Sequence, residues 1–198
     1  SLGSGADGRR FVRREPDHRH VETIINNMGL GGDNTKSVAA PSTKISDGEF
    51  EKRQRSRPLE GRRITAYRSC VMRGSFLSQD RADLGEAVKC LAQGMAQPRE
   101  CHWEDLKRLA RYLVGKPSVA LEYHQQTMPG YLRVSVDSDH AADKSTRKST
   151  TGMVQRLGRH VVKTTSNLQS AIGLNVSEAE FYALVHGAAR SLGLQAYM

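Results

Sequence analysis

Residues 132–152 read "LRVSVDSDHAADKSTRKSTTG". Leu132, Val134 and Val136 alternate with Arg133, Ser135 and Asp137, which is the two-residue period of a half-buried strand. Asp137 therefore shares a side with Arg133 and Ser135, and Asp139 joins it if the strand runs past 137. An aspartate at the end of such a strand, held by buried valines, can fix a divalent cation, whereas "DSDHAAD" can equally be a turn. A second carboxylate is needed to decide.

Downstream, "GMVQRLG" and "HVVKTTS" are further β-rich runs, and "VALEYH" is one upstream. "SEAEFYALVHGAARSLGLQAYM" then predicts a long helix that buries Ala179, Tyr182, Ala183, Val185, Ala189 and Leu192. Glu178, His186 and Arg190 face outward. Glu180, in its first turn, is the candidate second carboxylate. It has a competing use: "SEAE" is Ser-x-x-Glu, a capping box for Ser177 and Glu180.

Further upstream the period is helical. Residues 64–116 predict three helices. Ile64, Tyr67, Val71 and Phe76 line the first. Asp80 caps the second, which buries Leu84, Val88, Leu91 and Met95. Pro98 opens the third, with Trp103, Leu106, Ala110 and Leu113 as its apolar stripe and Lys107, Arg108 and Arg111 opposite. Residues 18–28 predict a helix burying Val21, Ile24, Ile25 and Met28, and "RRFVRRE" is a possible short edge strand. Residues 31–63 lack a period and read as a linker. Within it "KRQRSRPLEGRR" carries Lys52, Arg53, Arg55, Arg57, Arg62 and Arg63 against Glu60, a solvated run or a phosphate contact. The organisation expected is 1–63, weakly ordered with one short helix and the basic linker; 64–117, helical; and 118–198, strands and a helix.

The formal net charge is +9 with a pI near 9.7, which points to a polyanionic partner or to a solubilising surface. No apolar run approaches the roughly 18 residues of a membrane span, and the N-terminal residues lack the apolar segment of a signal peptide. The 3 cysteines show no C-x-x-C spacing, which argues against a disulfide framework or zinc knuckle. The expectation is an intracellular chain, cytoplasmic or nuclear and not secreted, with no membrane partner.

"VDSDHAADKSTRKSTTGMVQRLG" and "QSAIGLNVSEAEFYAL" closely resemble the ribonuclease H domain of copia-type retrotransposon Pol polyproteins. That family reads S-D-A-D-W-A-G-D, then T-R-K-S-T-T-G, then a glutamine followed at fixed spacing by a glutamate and an aromatic residue. "TRKSTTG" is intact, and Gln169 and Glu180 fit the spacing. Residues 67–117 resemble the end of the family's reverse transcriptase and its connection to ribonuclease H. The resemblance implies an α+β chain: a helical connection region, then a partial ribonuclease H-like α/β unit of three antiparallel strands and one helix.

The resemblance further implies Asp137 and Glu180 as catalytic and magnesium-binding carboxylates in two-metal hydrolysis of RNA in an RNA–DNA hybrid. Asp139 and Asp143 take no more than a supporting or turn role. "STRKSTTG" becomes the hairpin between the first two strands, with Arg147 and Lys148 facing phosphate. Lys107, Arg108 and Arg111 offer a second nucleic-acid contact, and the rest of the Pol polyprotein is the expected protein partner. Departures are His140 for the family's tryptophan and Ala142 for its glycine. The family's two further aspartates and the polymerase Tyr-x-Asp-Asp motif do not occur up to Met198. The expectation is a ribonuclease H region inactive as this chain, or alternatively a non-catalytic nucleic-acid-binding remnant of a decayed retroelement.

Overall fold

A computed structural model describes residues 2–4, 10–32 and 34–198. It is mixed helix and sheet, the α+β class expected, and divides into two compact units. One comprises Arg13–Glu122, the other Leu2–Val12 with Tyr123–Met198. No helix among the described residues is long and apolar enough to cross a membrane.

The first unit is helical. Helix α1 (His18–Asn27) starts where the Asp17 carboxylate accepts from Arg19 N, and it buries Val21 and Ile24. Helices α3 (Arg62–Leu77), α4 (Gly85–Gln93) and α5 (Glu100–Gly115) realise the three expected between 64 and 116. Tyr67, Val71, Val88, Leu91, Leu106 and Leu113 lie in one core. Gly74 of α3 lets α4 approach closely, since a Cβ there would lie 3.2 Å from Val88. Tyr67 completes this contact by donating its hydroxyl to Leu91 O at 2.6 Å.

Several expectations are corrected in this unit. Phe76 is 56% exposed, because five residues beyond Val71 is well off the helical repeat; Cys70, Gly74 and Leu77 fill that face instead. Asp80 does not cap a helix: its carboxylate pairs with Arg14, and a 3₁₀ turn (Ala82–Leu84) precedes α4. Residues 31–63 are not a plain linker. They contain helix α2 (Asp47–Gln54), capped by Ser46, and Leu59 reaches the core with only 3% exposure. Arg53 forms a bidentate pair with Asp105 at 2.6 Å, and Leu59 N donates to Pro98 O at 2.8 Å. Long-range pairs of this kind leave no period in the sequence.

The second unit contains an antiparallel sheet in the order β4 (Leu132–Asp139), β5 (Thr150–Leu157), β6 (His160–Leu168). Burial along β4 alternates strictly, half-buried then exposed, as the apolar pattern requires. Strands β1 (Leu2–Ser4), β2 (Arg10–Arg14) and β3 (Leu121–His124) form a separate sheet, so "RRFVRRE" does supply a strand.

Helix α6 (Val176–Gln195) packs on β4 and β5 through a narrower face than expected, one that keeps Ala179 and Ala183 but not the larger side chains. Ala179, Ala183 and Gly187 are buried, whereas Val185 is 51% and Leu192 68% exposed. Tyr182 and Ala189 are also exposed, and His186, expected outward, is half-buried. The small residues at four-residue spacing bring the helix backbone onto the strand: a Cβ on Gly187 would collide with Val136.

Candidate functional site

Strand β4 continues to Asp139, so Asp137 and Asp139 both stand on its exposed side with Arg133 and Ser135. The opposite side, carrying Val134, Val136 and Ser138, faces α6. Ser138 ends this inward series, and its hydroxyl donates to Glu180 Oε1 at 2.8 Å. The helix carboxylate thus meets the strand at the residue adjoining Asp137. The second oxygen of Glu180 has no hydrogen-bond partner among the described residues.

The capping box at Ser177 and Glu180 does not form. Asn175 is the N-cap, its side chain accepting from Glu178 N at 2.8 Å, and Glu178 reaches back to accept from Leu174 N. The cap sits two residues earlier than expected. Glu180 is therefore free of the backbone and turned toward β4.

Two further bonds fix the start of α6. Gln169 donates to Ala179 O at 2.9 Å and to Thr151 Oγ1 at 3.0 Å, while its own N–H donates to Ser149 O. His140 Nε2 lies 3.2 Å from Gly173 O. Sequence reasoning assigned no positioning role to Ser138, Gln169 or His140. For Ser138 a signal existed: a polar residue in the inward register of a strand requires a partner.

Asp143 holds the connection between β4 and β5. Its carboxylate accepts from Ser145 N and Oγ and from Thr146 Oγ1, and Arg147 N donates to Asp143 O at 2.7 Å. Partial burial opposes its charged form, but these hydrogen bonds prevail and hold its pKa below the ordinary value. Asp143 thus serves the turn, while Asp137 stays on the open strand face. Arg147 is exposed with φ 61°, in the left-handed region, and Lys148 is half-buried. Both occupy the hairpin as expected.

Lys107, Arg108 and Arg111 lie on α5 in the other unit; the first two are half-buried and Arg111 is exposed. The basic run at 52–63, with Arg68 one turn further along α3, is partly consumed by the fold. Besides the Arg53 pair, Arg63 binds Glu100 and stacks on Trp103 at 4.6 Å, and Arg68 donates to Met95 O and Ala96 O. Among the described residues, no group of three or more His, Cys, Asp or Glu side chains is placed to hold a metal ion.

No protein-family model matches the chain, and no solved structure matches it. The chain is similar to the retrovirus-related Pol polyprotein from transposon RE2 of Arabidopsis thaliana. The two are 33% identical over 122 residues, which is 62% of this chain and 8% of the polyprotein. An uncharacterised mitochondrial protein of the same plant is 28% identical over 174 residues, 86% of this chain and 68% of that protein. A secreted RxLR effector protein of Plasmopara viticola is 35% identical over 104 residues, 52% of this chain and 72% of that protein. The chain spans less than a tenth of the RE2 polyprotein's length. Over the matched residues the chain is related to copia-type retrotransposon Pol polyproteins, consistent with a fragment of one.

Proposed function

We propose that residues 118–198 are part of a ribonuclease H-type module of a Pol polyprotein, which hydrolyses the RNA strand of an RNA–DNA hybrid. Residues 64–117 are its connection to the reverse transcriptase. The observation that carries this reading is the Ser138–Glu180 hydrogen bond, which brings the α6 carboxylate to the strand that bears Asp137.

The donor set suits magnesium, which takes oxygen ligands, keeps several waters, and accepts one or two carboxylates together with substrate phosphate. Asp137 and Glu180 are the residues the resemblance nominates to hold it, although the β4 register sets Asp137 on the exposed side of the strand and Glu180 on the α6 side. When bound, magnesium supplies water activation and stabilisation of the leaving oxygen. The chain's own contribution is positional: Ser138 orients Glu180, the half-buried valines of β4 fix Asp137, and the Asn175 cap fixes the start of α6. Two carboxylates hold one ion weakly, so this chain alone does not cleave RNA at a useful rate.

A non-catalytic nucleic-acid-binding remnant is the second reading. It is favoured by the lack of a third metal-ligating side chain beside the two carboxylates among the described residues. Affinity for a labelled RNA–DNA hybrid, measured with and without magnesium, separates the two. The catalytic reading expects magnesium to tighten binding, and Asp137→Asn and Glu180→Gln each to abolish that increment. No magnesium effect in the unsubstituted chain would favour the remnant.

A further inference from the structure

The face of the β4–β5–β6 sheet opposite α6 carries a second feature. Arg133 on β4 is directly paired in register with Arg156 on β5. Side chains of directly paired residues share a face, with Cβ atoms about 5 Å apart. Gln155 points to the helix side, where it donates to Ser191 of α6 at 3.3 Å, so Arg156 stands on the other. Both arginines are exposed, and neither guanidinium has a hydrogen-bond or ion-pair partner among the described residues.

Like charges directly opposite each other destabilise a sheet. Here no carboxylate relieves the pair, although Arg53, Arg63 and Arg81 elsewhere in the chain each bind one. The register between β5 and β6 also shifts between Gln155 and Arg156, and irregularities of this kind re-aim side chains at ligand sites. Two unpaired guanidiniums side by side on an open face match the charge and the forked donors that a phosphate group takes.

We propose that Arg133 and Arg156 form a phosphate-binding pair whose ligand is a phosphodiester of a nucleic-acid strand running along β4 toward Asp137. Asp137 lies four residues from Arg133 on the same face, about 13 Å, or the axial rise of roughly four nucleotides. The pair would anchor the strand while the carboxylate meets it further along. Identifying the ligand as nucleic acid rests on the proposed function; the arginine geometry does not.

The test is binding of a labelled RNA–DNA hybrid to the full chain without magnesium, across a salt series. The Arg133→Gln/Arg156→Gln variant should bind about tenfold more weakly at low salt, with the salt slope reduced by about 2. Lys163→Gln/Arg190→Gln, with the same change in net charge away from that face, should lose clearly less. Inorganic phosphate should raise the melting temperature of the unsubstituted chain and not that of the Arg133→Gln/Arg156→Gln variant. Without ligand, that variant should melt no lower than the unsubstituted chain, because it loses a repulsion. Equal losses in the two double variants would overturn the pair while leaving nucleic-acid binding intact. Failure of the unsubstituted chain to bind hybrid would overturn both readings, even if phosphate still stabilised it. A variant melting well below the unsubstituted chain would give the arginines to the fold instead.

Discussion

Ser138 Oγ and Glu180 Oε1 are 2.8 Å apart, joining the inward end of β4 to the first turn of α6. The contact is short, half-buried and made by side chains 42 residues apart in sequence. It fixes where the α6 carboxylate stands relative to Asp137.

Ser138→Ala removes the donor and leaves a half-buried carboxylate oxygen without it. The expected cost is about 1–2 kcal/mol of unfolding free energy, measured by urea titration followed by circular dichroism. Ser138→Thr, which keeps a hydroxyl, should recover most of it. A neutral Ser138→Ala would show that Glu180 is positioned by other means.

Two glycines of α6 should respond in opposite directions. Gly187→Ala drives a methyl into Val136 and should cost about 1–3 kcal/mol. At Gly193 an added Cβ meets nothing within 4 Å, so Gly193→Ala should stabilise by about 0.5–1 kcal/mol through helix propensity. Thermal melts of the two variants check the pair, and equal effects would contradict the seating of α6 on β4.

Arg81 is fully buried in the helical unit and binds Asp83 through two nitrogens, while Tyr112 donates its hydroxyl to the same carboxylate. Burial works against the Asp83 charge, but these bonds prevail and hold its pKa below the ordinary aspartate value. A depressed folded pKa means the stability contribution is present above the unfolded value and lost as pH falls through the folded one. Acid titration followed by Trp103 fluorescence should therefore show a loss that begins near pH 4 and continues below it. Asp83→Asn should remove that component and cost about 3 kcal/mol at neutral pH, because the Arg81 charge is left uncompensated.

The strand carrying Asp137 was legible because valines at two-residue spacing admit one register, and α5 was legible from Leu106, Ala110 and Leu113. The seating of α6 was legible in part: Ala179 and Ala183 are buried as expected, whereas close approach to the strand excludes Val185 and Leu192 and selects Gly187 instead. The cap was misplaced because Asn175 and Glu178 repeat the spacing of Ser177 and Glu180, and asparagine caps as well as serine. The order within 31–63 depends on single distant partners, such as Asp105 for Arg53, which no local pattern reveals.

Whether Asp137 and Glu180 are carboxylates of a hybrid-cleaving site is read most directly from magnesium-dependent hydrolysis of a labelled RNA–DNA hybrid by this chain and by a longer Pol segment that contains it. No useful turnover is expected from the 198-residue chain. The longer segment should cleave, and Asp137→Asn or Glu180→Gln there should abolish cleavage while hybrid binding in the absence of magnesium persists. Cleavage by the longer segment that survives both substitutions would contradict these expectations, as would magnesium-dependent cleavage by the shorter chain that Asp137→Asn abolishes.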